Sequence, residues 1–206
     1  TKASGEADLP ESVAISLVPD VTDKRIYLPV ANDILRIYNC HKDPDASYLF
    51  RLRPITDKRL TPIESIFLPD AESMEKENKN EDSQFRNKSI LSFYSSVRGK
   101  MAEFYSQTDT RKSLDNSECF RAIAGELSFL AKSNKKRCVL LVASDLMEKS
   151  DLWDFYLSLP ASPKELARKL EGTGLLPVNM SNVEVVFLFN PKDRPEDQKF
   201  SLLAEG

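Results

Sequence analysis

The sequence predicts an α/β fold: a three-layer, Rossmann-like sandwich with a mostly parallel central sheet, one antiparallel edge strand and helices on both faces. Three apolar runs carry this prediction: "SVAISLV" (12–18), "RCVLLVAS" (137–144) and "VEVVFLFN" (183–190). Strands that are buried on both faces of a parallel sheet have this continuous, Val- and Leu-rich composition. Because the runs lie far apart in the chain, parallel pairing requires crossover connections, which are usually helices.

The segments between these runs have the periodicity of helices. Pro29 suits the first position of a helix, and apolar residues recur at helical spacing after it. Residues 85–107 and 117–132 each place an apolar stripe on one side of a helix. Residues 162–172 begin with Ser-Pro and end at Gly, which are helix start and stop signals.

Two weaker strands are predicted between the first helix and residue 85. "SYLFRLRP" (47–54) alternates as a half-exposed strand does, and "IESIFLP" (63–69) follows after a short link. A link this short requires antiparallel pairing, since a parallel pair needs a crossover of about a dozen residues. Residues 70–82 hold six acidic residues against two lysines, which favours a solvated loop over a binding tail.

The length of 206 residues fits a single domain, assigned to residues 12–206. Residues 1–11 are polar and read as an N-terminal linker. A targeting signal removed before Thr1 is compatible with the sequence. The compartment therefore stays open between cytoplasmic and exported.

Composition argues against several classes of function. The net charge of −3 and the pI of about 5.4 show no basic excess, so nucleic acid is not expected as a partner. No apolar run approaches the roughly 18 to 20 residues of a membrane span. Cys40, Cys119 and Cys138 are odd in number and widely spaced, which suggests neither a disulfide scaffold nor a zinc site. His41, the only histidine, lies in a polar setting that favours a surface or capping role over a catalytic base.

Tracing the chain direction brings three loops to the carboxyl ends of the parallel strands. They are "PDVTDKR" (19–25), "TDTRKSLDNSE" (108–118) and the segment that starts "SDLMEKS" at residue 144. Open α/β sheets bind ligands at this edge. The loops offer many oxygen ligands, which suit Mg²⁺ or another hard cation; they belong to Asp20, Thr22, Asp109, Thr110, Ser113, Asn116, Ser117, Ser144 and Asp145.

With this element order, "DVTDK" and "VASDL" make the chain similar to a von Willebrand factor A-type (vWA) domain. In that family an Asp-x-Ser-x-Ser loop, a hydroxyl from the loop between two helices and an Asp after the fourth strand form the metal-ion-dependent adhesion site. The resemblance implies Asp20, Thr22, Ser117 and Asp145 as metal ligands. It also implies a role in binding proteins, often with an acidic partner residue that completes the metal shell.

Lys24 departs from the family pattern, because it stands where a hydroxyl is expected. An ammonium has no lone pair for a cation and would repel Mg²⁺ at close range. Two arrangements stay open: a degenerate site with no cofactor, and a working Mg²⁺ site with Lys24 turned to solvent. Simpler roles are also open: Asp20 or Thr22 could cap the following helix or stabilise a turn, Asp145 could cap the helix after the fourth strand, and Ser117 is a good helix N-cap.

The favoured function is a non-catalytic module that binds a protein partner through these loops, with Thr110, Ser113 and Trp153 at the contact. For Trp153 and its aromatic neighbours, the alternative is that they pack a short helix onto the sheet. A Mg²⁺-dependent hydrolase or phosphotransferase using Asp20 and Asp145 is the alternative function. It lacks support from a glycine-rich phosphate loop between a strand and a helix. A purely structural domain is the third possibility, and the oligomeric state stays open.

Overall fold

The computed structural model describes residues 12–22, 26, 28–40, 42–57, 62–77, 83–109, 115–174, 176 and 179–189. Within them lies a five-stranded sheet with the strand order β3-β2-β1-β4-β5. The strands are β1 (Val13–Pro19), β2 (Tyr48–Leu52), β3 (Glu64–Leu68), β4 (Arg137–Ala143) and β5 (Val183–Phe187). β1 runs parallel to β2 and β4, β4 runs parallel to β5, and β3 pairs antiparallel with β2 at the edge. The predicted α/β class and its antiparallel edge strand are confirmed.

The helices of the described residues are α1 (Ala31–Tyr38), α2 (Ala71–Glu77), α3 (Ser83–Asp109), α4 (Cys119–Lys132) and α5 (Pro163–Glu171). α5 starts directly after Ser162, as predicted. α1 begins two residues later than predicted, because Val30 rather than a residue before Pro29 takes the N-cap position.

The prediction of a loop over residues 70–82 is wrong for its first half, which forms α2. The Asp70 carboxylate accepts hydrogen bonds from the backbone N–H of Ser73 at 2.8 Å and from its hydroxyl at 2.9 Å. These bonds lower the pKa of Asp70 and satisfy a free N–H of the first turn, as an N-cap residue does. Met74 then packs against the core, which ties the acidic segment to the protein.

The sheet is covered on both faces, with a separate apolar cluster on each. On one face, β1 and β2 pack with α1 and α3 through buried residues such as Leu17, Phe50, Ile34 and Val97. On the other face, β1 and β4 pack with α4. Successive residues of β1 join opposite clusters, as the period of two in a strand requires. The predicted three layers are therefore present.

The third apolar run is less buried than its composition suggests. Val185 and Phe187 of β5 are exposed side chains, although the run reads as a strand buried on both faces. β5 lies at the end of the strand order and pairs only with β4 among the described residues. Its apolar composition alone could not reveal that edge position.

A buried ion cluster joins α4 to the sheet. Glu126 of α4 is fully buried and accepts hydrogen bonds from Ser16 at 2.6 Å and from Arg51 at 2.8 and 3.0 Å. Arg53 lies 3.7 Å from the same carboxylate, against Gly125. A Cβ at Gly125 would lie 2.1 Å from an Nη atom of Arg53, so the glycine makes room for the guanidinium. The cluster fixes α4 over β1 and β2.

A third arginine joins α3 to loops on the other side of the sheet. Arg86 of α3 is buried and donates to three backbone carbonyls, those of Pro44, Ala46 and Pro69. These carbonyls belong to the segments before β2 and after β3. The planar guanidinium thus connects α3 to two loops at once.

None of the helices within the described ranges has both the length and the apolar composition of a membrane span. Residues 1–11, predicted as a linker, and His41 lie outside the described residues.

Candidate functional site

Asp20 lies directly after β1, at the carboxyl edge of the sheet. Its backbone N–H donates to the carbonyl of Ala143 at 2.8 Å, at the end of β4. It also forms an isolated parallel bridge with Ile55, in the segment after β2. The main chain therefore holds Asp20 between the ends of the two neighbouring strands, as the predicted chain direction requires.

The Asp20 carboxylate collects hydrogen bonds from three separate segments. Its Oδ1 accepts the backbone N–H of Thr22 at 2.9 Å and the Thr22 hydroxyl at 2.6 Å. Its Oδ2 accepts the Ser144 hydroxyl at 2.9 Å and faces the Cys119 thiol at 3.8 Å. Ser117 lies behind Cys119, with its Oγ 2.9 Å from the sulfur. We call these five residues the Asp20 cluster; they join the segments after β1, before α4 and after β4.

Burial dominates the ionisation of this cluster. Asp20 is only 2% exposed, and this desolvation raises its pKa to about 6 in spite of the opposing hydrogen bonds from Thr22 and Ser144. Asp145 adds a smaller electrostatic contribution in the same direction. Burial and the neighbouring carboxylates also hold the pKa of the Cys119 thiol well above its usual range. Cys119 is therefore a neutral donor to Asp20 rather than a thiolate nucleophile.

Ser117 reaches Asp20 only through Cys119, and its predicted role as the N-cap of α4 is wrong. α4 begins at Cys119, and Glu118 holds the N-cap position. The backbone of Ser117 instead exchanges two hydrogen bonds with Lys149, at 2.9 and 3.0 Å. This isolated antiparallel bridge joins the loop before α4 to the segment after β4.

Asp145 is buried beside the cluster but makes a local turn. Its Oδ1 accepts the backbone N–H of Met147 at 3.1 Å, which is the geometry of an Asx turn. The prediction that Asp145 caps a helix directly after β4 is wrong, since the next helix of the described residues is α5. The simpler prediction for Thr22, a turn at the end of β1, agrees with its two bonds to Asp20.

Glu148 is a component of the site that sequence reasoning missed. It is fully buried, and its Oε2 accepts the backbone N–H of Phe120 in the first turn of α4 at 2.9 Å. Its other oxygen accepts the hydroxyl of Ser150. Burial raises the pKa of Glu148 to about 7. Glu148 thus satisfies a backbone N–H in the first turn of α4, from 28 positions after Phe120.

The segment between β4 and α5 (144–162) forms turns. The alternative prediction for its aromatic residues, that they pack a short helix onto the sheet, is therefore wrong about the helix. Phe155 is fully buried, while Trp153 is half-buried under Lys169, whose Nζ lies 4.0 Å from the centre of the indole ring. The indole N–H donates to the carbonyl of Ser158 at 2.8 Å. Tyr156 and Leu157 then project outward, 52% and 84% exposed. Trp153, the predicted partner contact, is therefore tied to Ser158 and covered by Lys169.

Some predicted residues lie outside the described residues: Lys24, Thr110 and Ser113. Their positions relative to Asp20 stay predictions.

The donor set around Asp20 is chemically suitable for a hard cation, but it is closed. A hydroxyl that donates to a carboxylate keeps lone pairs for a metal ion, so Thr22 and Ser144 are usable oxygen ligands. Among the described residues, however, Asp20, Ser117, Ser144 and Asp145 are all buried. Within the described ranges, no three or more His, Cys, Asp or Glu side chains are grouped so that they could share a metal ion. The ligand set implied by the resemblance contains only two such side chains, both aspartates, and is completed by hydroxyls. The absence of larger groups therefore does not bear on it.

Comparison of the chain with protein-family models and with curated proteins gives no match. Function must therefore be argued from the residues and their geometry.

Proposed function

We propose that this chain is a non-catalytic, vWA-like protein-interaction module that binds its partner at the carboxyl edge of the sheet. In this proposal the Asp20 cluster joins the loops of that edge without a cation. The partner contacts the exposed side chains of the segment between β4 and α5. The observation that carries the proposal is that one buried carboxylate receives bonds from three loop segments.

The arrangement of elements supports the vWA-like assignment. The parallel strands lie in the order β2-β1-β4-β5, with helices on both faces and the antiparallel β3 at one edge. The Asp-x-Thr motif follows β1 and Ser144-Asp145 follows β4, the two places that the resemblance assigns to them. Many functions share such a fold, so the function has to be argued from the site itself.

The hydrogen bonds within the cluster support a structural use of Asp20. Both of its carboxylate oxygens already face donors, and one donor is a thiol. A neutral thiol is a poor ligand for Mg²⁺, which prefers oxygen.

The exposed pair Tyr156 and Leu157 supports a partner surface beside the cluster. Apolar side chains that project from a rigid support are typical anchors of protein interfaces. The support here is Phe155 in the core, whose N–H donates to the carbonyl of Glu148 at 2.9 Å. The partner surface and the cluster therefore share one segment of chain.

Site-specific photo-crosslinking in the cells that make the protein tests the proposal. A benzoylphenylalanine placed at Leu157 should give a discrete crosslinked product with one protein. The matched control is Leu91, an exposed leucine on α3 that is not part of the site. No product at position 157, or the same products from both positions, would contradict the proposed surface.

A second crosslinking experiment tests whether the Asp20 cluster organises the partner surface. Asp20→Ala removes the acceptor for all three segments, so the crosslink at position 157 should weaken strongly. An undiminished crosslink in this variant would show that the cluster does not organise the partner surface.

A further inference from the structure

A groove of about 570 Å³ lies between α1 and α3, on the face of the sheet opposite α4. Its lining consists of Asn32, Leu35, Arg36, Asn39, Tyr94 and Arg98. None of these residues belongs to the Asp20 cluster or to the segment between β4 and α5. The volume lies within the roughly 300 to 1,000 Å³ that is typical of small-molecule sites.

The groove presents positive charge from both of its walls. Arg36 comes from α1 and Arg98 from α3, and no carboxylate is among the lining residues. Arg36 has a loose ion pair with Asp33 at 3.6 Å, in which both side chains are largely exposed, so the pair neutralises it weakly. Arg98 has no ion pair with any carboxylate of the described residues.

Arg98 is held in position before any ligand binds. Its Nε donates to the side-chain oxygen of Asn32 at 3.1 Å, across the groove. Its guanidinium carbon lies 6.0 Å from the centre of the Tyr94 ring. The Tyr94 ring is itself fixed, because its hydroxyl accepts the backbone N–H of Cys40 at 3.1 Å. The two Nη groups of Arg98 keep their donors for an oxyanion.

A helix end alone accounts for the position of Arg36 but not for that of Arg98. Arg36 lies in the last turn of α1, where a cation is favourable without any ligand. Arg98 lies within the long helix α3, far from either end, so no helix terminus accounts for it. Arg98 is therefore the residue on which a ligand site depends most.

We propose that this groove binds a small polar molecule that carries a phosphate or a carboxylate. The Nη groups of Arg98 bind the oxyanion together with Arg36. The amides of Asn32 and Asn39 provide hydrogen-bond donors and acceptors for hydroxyl groups of the same molecule. Leu35 and Tyr94 form the buried floor.

Binding of three related sugars to the ¹⁵N-labelled protein tests the site by NMR. The probes are glucose 6-phosphate, glucuronate and glucose, which share a ring and differ in the charged group. At least one charged sugar should shift the backbone signals of α1 and α3 at low millimolar concentration. Glucose should bind at least about tenfold more weakly, a difference of about 1.4 kcal/mol. The charged sugar that binds identifies the oxyanion as phosphate or carboxylate.

Arginine variants decide whether the binding belongs to the groove. Arg98→Gln should weaken the binding of the charged sugar at least about tenfold. Arg168→Gln is the matched control, because Arg168 is an exposed helical arginine on α5 outside the groove. Both variants replace exposed side chains and should fold as the wild type does. No shift with either charged sugar, or equal weakening in the two variants, would overturn the proposal.

Discussion

The raised pKa values of Asp20 and Glu148 predict that the protein is more stable at mildly acidic pH than at alkaline pH. For both groups the folded-state pKa lies above the ordinary value: about 6 against 3.8 for Asp20, and about 7 against 4.5 for Glu148. The folded protein therefore binds these protons more tightly than the unfolded chain does. The free energy of unfolding must fall as the pH rises through the folded-state values.

The size of the effect follows from the same values. Between about pH 8 and about pH 5, Asp20 alone contributes on the order of 1 kcal/mol of additional stability at the lower pH. Glu148 contributes roughly 2 to 3 kcal/mol over the same range, because its folded-state pKa is higher. The Asp20→Asn variant keeps an oxygen acceptor for Thr22 and cannot ionise, so it should lose only the Asp20 contribution to the pH dependence of the free energy of unfolding. Glu148→Gln should lose only the Glu148 contribution.

Urea unfolding at both pH values, followed by circular dichroism, measures these differences directly. The comparison of each variant with the wild type removes the contribution of all other titrating groups. A wild type that is more stable at about pH 8, or an Asp20→Asn variant whose pH dependence equals that of the wild type, would refute the reasoning.

Three further substitutions test the contacts that hold the layers together. Glu126→Ala should cost roughly 2 to 3 kcal/mol in urea unfolding, because it leaves the partly buried Arg51 and Arg53 without their carboxylate; a loss below that of an exposed ion pair would contradict this. Gly125→Ala should cost less than about 1 kcal/mol net, because the new methyl group displaces only the movable end of Arg53 and alanine favours the helix α4, and a loss of about 3 kcal/mol would show that the guanidinium cannot move aside. Arg86→Lys should cost roughly 1–3 kcal/mol, because an ammonium cannot reach all three carbonyls that the guanidinium binds. The thermal midpoint should fall accordingly, and an unchanged midpoint would argue against the bridging role.

Local composition was sufficient to predict most of the fold. β1 and β4 are continuous apolar runs, which are typical of strands buried on both faces of a sheet. The link between β2 and β3 is too short for a crossover, which fixed their antiparallel pairing. α2 was missed although Asp70, three residues before Ser73, is an ordinary N-cap signal; the acidic composition outweighed it.

Chain direction predicts which loops meet at the site, but not which side chains contact each other there. Direction alone places Asp20, the loop before α4 and Asp145 at one edge of the sheet. It does not say which hydroxyl turns toward Asp20, and Ser144 rather than Ser117 makes the direct bond. It also could not identify Glu148, because a buried carboxylate that caps a helix from a distant loop leaves no local pattern.

The central claim is that the Asp20 cluster joins its loops without a cation, and a Mg²⁺ titration followed by thermal unfolding tests it most directly. A working site at about one hundred times its dissociation constant would add ~2.7 kcal/mol, which raises the melting temperature of a protein of this size by roughly 5 to 10 °C. We expect no saturable rise in the wild type and a lower melting temperature for Asp20→Ala with or without Mg²⁺. A saturable rise in the wild type that Asp20→Ala abolishes would contradict it.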